Sequence, residues 1–161
     1  MKEIVYFLKI DGIQGESTDE KHKDEIDVQS WSWGESQTGA GAASGGATGK
    51  VEIQAMHIAA LSSKASPRLM LACASGGHVK EAVLTAARRK KKGKLQDLVV
   101  FKVTDVLVAS YQISAEQGTQ PVDAFDLSFA KIEMEYFPVK EDGSLDAPVK
   151  AGWDVKTNKP V

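Results

Sequence analysis

Cys73 and three histidines, His22, His57 and His78, are the residues whose types could form a nucleophile with its base. A thiol becomes a strong nucleophile only as the thiolate, so it needs an imidazole beside it, and the pairs to weigh are Cys73 with His57 or with His78. Against that chemistry, Cys73 shares the apolar stripe of a short helical pattern with Leu69 and Met70, where a free cysteine behaves as a small buried hydrophobe. The histidines show no i, i+4 pairing and no Cys-x-x-Cys accompanies them, so a zinc site has no local support and neither metal nor cofactor is expected. The acidic "DEID" at 24–27 lacks the Asp/Asn and Gly spacing of a calcium loop and reads as solvated surface.

Two stretches could bind anions. "SGGATGKV", 44–51, approaches the phosphate-binding pattern G-x-x-x-x-G-K-[ST], yet Ser44 stands where the first glycine belongs and Val51 replaces the hydroxyl residue that would hold magnesium. The context fails too, because the pattern needs a following helix whose first amides complete the anion site, whereas "VEIQ" continues as a strand. "RRKKKGK", 88–94, puts six basic residues in seven positions: Arg88, Arg89, Lys90, Lys91, Lys92 and Lys94. Such a run can grip phosphates, with affinity that falls as salt rises, but no aromatic residues interleave it for base stacking. The favoured reading is an exposed loop that meets an acidic patch on a neighbouring subunit. The alternative is a monomeric β-barrel binding module that uses the 88–94 loop for nucleic acid or an acidic partner.

Whatever positions these residues is a chain of 161 residues with 42% apolar content, enough for one domain, 1–161, with its own core. A charged fraction of 26% and a net charge of −2 give no global pull toward nucleic acid or an anionic membrane. The single cysteine excludes an intramolecular disulfide framework and suits a reducing compartment. "MKEIVYFLKIDG" has a short apolar stretch broken by Lys9 and lacks a small-residue cleavage site, so the expectation is folding in the cytoplasm and any export by a route without a signal peptide. No segment approaches the ~20 apolar residues of a membrane helix, and no membrane insertion is expected.

Strand signals dominate. Residues 4–10, "IVYFLKI", are β-branched and aromatic and end in the turn pair Asp11-Gly12. The charged stretch 16–25 reads as a solvated loop, and "KVEIQAMHIAAL" as a second long strand. "VKEAVLTAA" is ambiguous, while "LVVFKVTDVLVASYQI", 98–113, is one strand or two. Apolar alternation changes phase between Val28 and Trp31 and again between Phe129 and Ile132, each of which implies a bulge. One helix is predicted at about 66–76, with Ser66 as N-cap, Pro67 at its first helical position and Gly76 ending it. The C-terminal stretch, with an Asp-Gly turn and two prolines around Trp153, reads as a flexible tail. The sum is a mostly β protein, a small antiparallel barrel of two sheets, closed, with one short helix at its side.

Two indoles remain, Trp31 and Trp33, directly before a run in which fourteen of the sixteen residues from Gly34 to Gly49 are Gly, Ala, Ser or Thr. If 31–33 is extended, both indoles point to one face as core or interface anchors and Ser32 points to the other. A structureless loop of that length in a compact domain signals function or disorder, and its small side chains let it lie flat against another backbone. An arm at a subunit contact follows.

The blocks "FLKIDGIQGESTDEKHKDEIDVQSWSWG", "SSKASPRLMLACASGGHVKEAVLT", "LVVFKVTDVLVASYQIS", "LSFAKIEMEYFPVKEDGSL" and "PVKAGWDVKTN", in that order from Phe7 to Asn158, resemble the Hcp family, the haemolysin-coregulated proteins of the type VI secretion tube. The resemblance implies a two-sheet barrel with one helix, rings of six, and rings stacked into a hollow tube inside a contractile sheath with a spike at its tip. It further implies export of the tube, effectors carried in the lumen, and no enzyme activity in a chain without a fused toxin domain. By the same resemblance Ser32 faces the lumen as a cargo contact, and the extended loop holding Gly39, Gly41, Gly45, Gly46 and Gly49 reaches neighbouring protomers. Arg88, Arg89, Lys90, Lys91 and Lys92 occupy a loop associated with ring stacking, where this chain is more basic than the family's usual turn.

Overall fold

A computed structural model describes residues 3–38 and 50–161. β1 (Ile4–Ile10) is the expected first strand, closed by the turn at Gly12, whose φ of +81° lies in the left-handed region. It pairs antiparallel with β2 (Ile26–Val28) and with β7 (His78–Arg89). The ambiguous "VKEAVLTAA" is therefore strand: alternation buries Ala82, Leu84 and Ala86, and this sheet environment overrides the local helical preference of Ala, Glu and Lys. A 3-10 turn at Lys91–Gly93 returns the chain into β8, a single strand of 20 residues, Leu95–Ser114.

β8 organises the rest. Its first part pairs with β7 and with β10 (Lys131–Tyr136), and its last part, from Leu107, pairs with β9 (Val122–Ser128). β9 pairs with β6 (Met56–Leu61), and β6 with β3 (Ser30–Ser32). With β11 (Val149–Asp154) and β12 (Lys159–Pro160) the order is β12-β11-β10-β8-β7-β1-β2 with β9-β6-β3 branching from β8, ten strands curled around one apolar core that holds Leu8, Phe101, Val106, Phe125 and Leu127. β4 (Glu35–Gln37) and β5 (Val51–Ile53) form a separate two-stranded sheet.

Mostly β, antiparallel and with one helix among the described residues, the architecture matches the sequence reading, and the structure corrects its details. The ladder does not close: it ends at β2 and β3, consecutive pieces of one segment, where the Gln29 N–H donates to the Ala59 carbonyl at 2.8 Å. Neither phase change is a bulge. At Gln29 the chain leaves β1 for β6, and at 129–130 it passes from β9, paired with β6 and the last part of β8, to β10, paired with β11 and the first part of β8, so the inward face changes because the pairing changes. The register shifts that do occur lie at Ala86/Ala87 and at Val108/Ser110. The stretch read as a flexible tail forms β11 (Val149–Asp154) and β12 (Lys159–Pro160), because Trp153 opposite Ile132 anchors it to the core.

α1 (Ser66–Ser75) ends on Gly76 at φ +67°, whose N–H donates to the carbonyls of Ala72 and Cys73. Ala65, not Ser66, is the N-cap, and Met70 is 57% exposed instead of lying on the buried stripe; the helix meets the core through Ala65, Leu69, Ala72 and Cys73, at i, i+4, i+7 and i+8.

The stretch 16–25 is a loop whose charged Glu16, Glu20, Lys21 and Lys23 are solvated, as read, but Ser17 and His22 are buried. It folds over the outer side of β1, where His22 stacks on Phe7 with ring centres 4.4 Å apart and covers a second cluster of Phe7, Ala87 and Leu95. Gly15 makes this possible, since a Cβ there would sit 2.6 Å from the Glu25 carbonyl oxygen.

Candidate functional site

Outward residues of β3, β6, β9 and the second part of β8 lie in register across four strands. One row is Ser32, His57, Asp126 and Ser110; the next is Ser30, Ala59, Ala124 and Gln112. Ser32 is exposed and turned from the core, as the alternation requires, while Trp31 and Trp33 pack against the core beneath it. Both indoles meet Phe101 edge-on or nearly so, at 5.3 and 6.1 Å between ring centres, and Trp33 Nε1 donates to the Gln54 carbonyl at 2.9 Å. A large indole on the inner side thus fixes the strand that offers only a hydroxymethyl group on the outer side. A cavity of about 290 Å³ opens over this row.

The titratable contact on the face is the hydrogen bond between His57 Nδ1 and Asp126 Oδ1. Ser32, His57 and Asp126 have the residue types of a nucleophile, base and orienting carboxylate, but no hydrogen bond joins Ser32 to His57, and the imidazole is 56% exposed. Sequence reasoning singled out Ser32 and not its neighbours. His57 and Asp126 are 69 residues apart in the chain, and only the β6–β9 register brings them together.

Cys73 makes no nucleophile–base pair with His57 or His78. Cys73 is half-buried on α1, against the core, while His57 is held by Asp126 and His78 by Asp105 at 2.8 Å. Asp105 also accepts from Lys156 Nζ at 3.0 Å, and these two bonds, lysine first, hold its carboxyl below the ordinary carboxylate range. His22 is occupied with Phe7 and Glu25. Among the described residues no group of three or more His, Cys, Asp or Glu converges to hold a metal.

Beneath the small-residue face, Asp123 is 1% exposed and accepts from Ser66 Oγ at 2.5 Å and Tyr111 Oη at 2.7 Å. Ser66 is absent from the cap position because its hydroxyl serves this carboxylate, tying α1 to β9. Burial first, then the Asp123 hydrogen bond, pushes the Tyr111 phenol up to about 12.

The basic run forms the tip of the β7–β8 hairpin, and its cations divide. Arg89 bonds Glu3 and the Gly93 carbonyl, both at 3.2 Å, and Lys90 Nζ donates to the Gly143 carbonyl at 3.1 Å. Arg88 is half-buried, whereas Lys91, Lys92 and Lys94 are exposed, with Lys92 in the left-handed region at φ 74°. Gly39, Gly41, Gly45, Gly46 and Gly49, assigned to a subunit contact, lie outside the described residues.

Comparison with known proteins now gives this surface a setting. The family described as "Type VI secretion system effector, Hcp" matches residues 7–136. A protein named hcp1 from Pseudomonas aeruginosa is 37% identical over 156 residues, which cover 94% of this chain and 95% of that protein. The crystal structure of Hcp1 from Salmonella typhimurium is similar over the whole of both chains, at 31% identity and a TM-score of 0.79. A structure described as a type six secretion system protein is 28% identical, covers 99% of this chain and 100% of its own, and gives a TM-score of 0.89.

Proposed function

This chain belongs to the Hcp family of type VI secretion proteins and is a structural tube subunit, not an enzyme, and on that premise we propose that six copies close into a ring whose bore is lined by the β3-β6-β9-β8 face. The observation that carries the assignment of that face is its composition. Six of the eleven outward residues in its three rows are serine or alanine, beside Gln112, Leu61, Val122 and the His57–Asp126 pair, a surface over which cargo meets few long side chains. Ser32, central in it, is the cargo contact.

Self-association has support in an apolar strip on β10 and β11, where Met134, Tyr136 and Val149 are 42, 46 and 65% exposed and the last two face each other across the ladder. An apolar strip of that size marks a surface to be covered, and a heterologous contact with the next copy repeats until the ring closes. Stacking falls to the hairpin tip that carries Arg88, with Lys91 and Lys92 free to reach the next ring and Arg89 and Lys90 holding the tip's shape. The segment carrying Gly39, Gly41, Gly45, Gly46 and Gly49 is assigned to contact between protomers on its composition and family likeness. The spike, the sheath and effectors are the remaining partners, and the route is folding in the cytoplasm followed by export without a signal peptide.

Negative-stain imaging with light scattering of the purified protein tests the reading. Annular particles are expected; a strictly monomeric species at tens of micromolar contradicts it. Deleting residues 39–46 should weaken rings while leaving the thermal unfolding of the barrel in place.

A further inference from the structure

We propose that the row of Ser32, His57 and Asp126 selects cargo whose surface presents lysine or arginine side chains. The inference rests on the reading that this face lines the bore, and it adds the chemistry of what binds there. Along the outward positions of β3, β6, β9 and the second part of β8 there is no lysine and no arginine, and the ionisable groups are His57 and Asp126 alone. The His57 Nδ1–H donated to Asp126 leaves the pair with one net negative charge while the imidazole is neutral, and it turns Nε2 into an acceptor. The second carboxylate oxygen, Nε2 and the Ser32 hydroxyl are therefore acceptors on neighbouring strands, a set that suits the multiple N–H donors of an ammonium or guanidinium group.

Access fits as well. Asp126 keeps 29% of its side chain exposed and His57 keeps 56%, and the surrounding serines and alanines raise no steric fence around them. An acidic cargo would meet a carboxylate with no cation on the face to offset it, which is a selection against as well as for. In a closed ring the pair repeats once per copy, and a bore lined by one sign of charge concentrates its potential.

The test uses the assembled full-length protein and two fluorescein-labelled peptides, one of alternating lysine and serine and one with glutamate in place of lysine, read by anisotropy at about 20 mM salt, where surface charge is little screened. The lysine peptide should bind at least about fivefold more tightly than the glutamate peptide. Asp126→Asn should bring it down to the level of the glutamate peptide, whereas Glu81→Gln, an equal charge change on the opposite face, should leave the preference intact. If Asp126→Asn fails to fold, His57→Lys serves instead, since it neutralises the carboxylate from the adjoining strand and should likewise abolish the preference. Equal binding of both peptides, or a preference lost in Glu81→Gln but kept in Asp126→Asn, overturns the proposal. Imaging the same samples keeps the two readings apart. Rings without the preference refute the selection alone, and a preference that depends on Asp126 in a sample without rings upholds the selection and refutes the bore.

Discussion

The outward faces on either side of β8 make opposite demands on solvent. Along its first part, with β7, β10 and β11, the rows carry Glu81, Thr104, Lys131 and Asp154, then Val83, Lys102 and Glu133, then Thr85, Val100, Glu135 and Lys150, and Lys102 pairs with Glu81 at 2.9 Å. Along its last part the rows carry serines, alanines, Gln112, one histidine–carboxylate pair and, at the edge, Leu61 and Val122, with no lysine or arginine. The register shift between Val108 and Ser110 falls just after the change. The same strand type and the same apolar core underlie both faces, so stability does not require the difference. Charged ladders keep a surface wet and single, whereas short side chains leave room for a neighbour.

The sharpest way to break this comparison is to change a carboxylate under one face and on the other. Asp123→Ala strips the partner from Tyr111 and Ser66 in a buried setting and should cost about 3 kcal/mol in urea denaturation. A cost near zero would mean that the network beneath the small-residue face holds nothing. Tyr111→Phe should cost about 1 kcal/mol, and it has a pH signature. Because the folded state raises the phenol from 10.0 to about 12, its contribution is complete below pH 10 and disappears as pH rises through about 12. The wild-type midpoint should therefore fall across that interval by more than the midpoint of the Phe variant does.

Asp27 titrates in the same direction as Tyr111, but its substitution has the opposite effect on stability. Burial, then Asp19, then Glu16 raise its carboxyl above the ordinary value, so its stabilising contribution is present in acid and is lost as pH rises through the raised folded-state value. Asp27→Asn should thus stabilise the protein at neutral pH by roughly a few tenths of a kcal/mol after solvent screening, with the gain vanishing in acid. The smallest effect belongs to the charged face itself: Glu81→Gln, which breaks the exposed pair with Lys102, should leave the denaturation midpoint unchanged.

How much of this was legible in the sequence depends on how local the determinant is. β1, α1, the helix-ending Gly76 and the opposite orientations of Ser32 and the two tryptophans follow from period and turn chemistry within a few residues. The phase changes at Gln29 and after Phe129 are visible locally, but their cause, a change of pairing partner, is a property of the whole sheet. The same limit hid Ser66, whose hydroxyl bonds a carboxylate 57 residues away instead of its own helix, and the C-terminal strands, which the anchor Trp153 holds despite two nearby prolines. His22 looked isolated because stacking on Phe7 leaves no spacing motif, and the Asp126 partner of His57 needs a register that no single stretch encodes. The family likeness was recoverable because it rests on several blocks in order.

The central claim is that the small-residue face turns inward in the assembled ring. A Ser32→Cys variant in a Cys73→Ser background, coupled to a maleimide gold cluster and imaged in negative stain, tests it directly, with Glu135→Cys as the label on the other face. Label from position 32 inside the annulus and label from position 135 outside it are the predicted result; position 32 label on the outer rim would contradict the account.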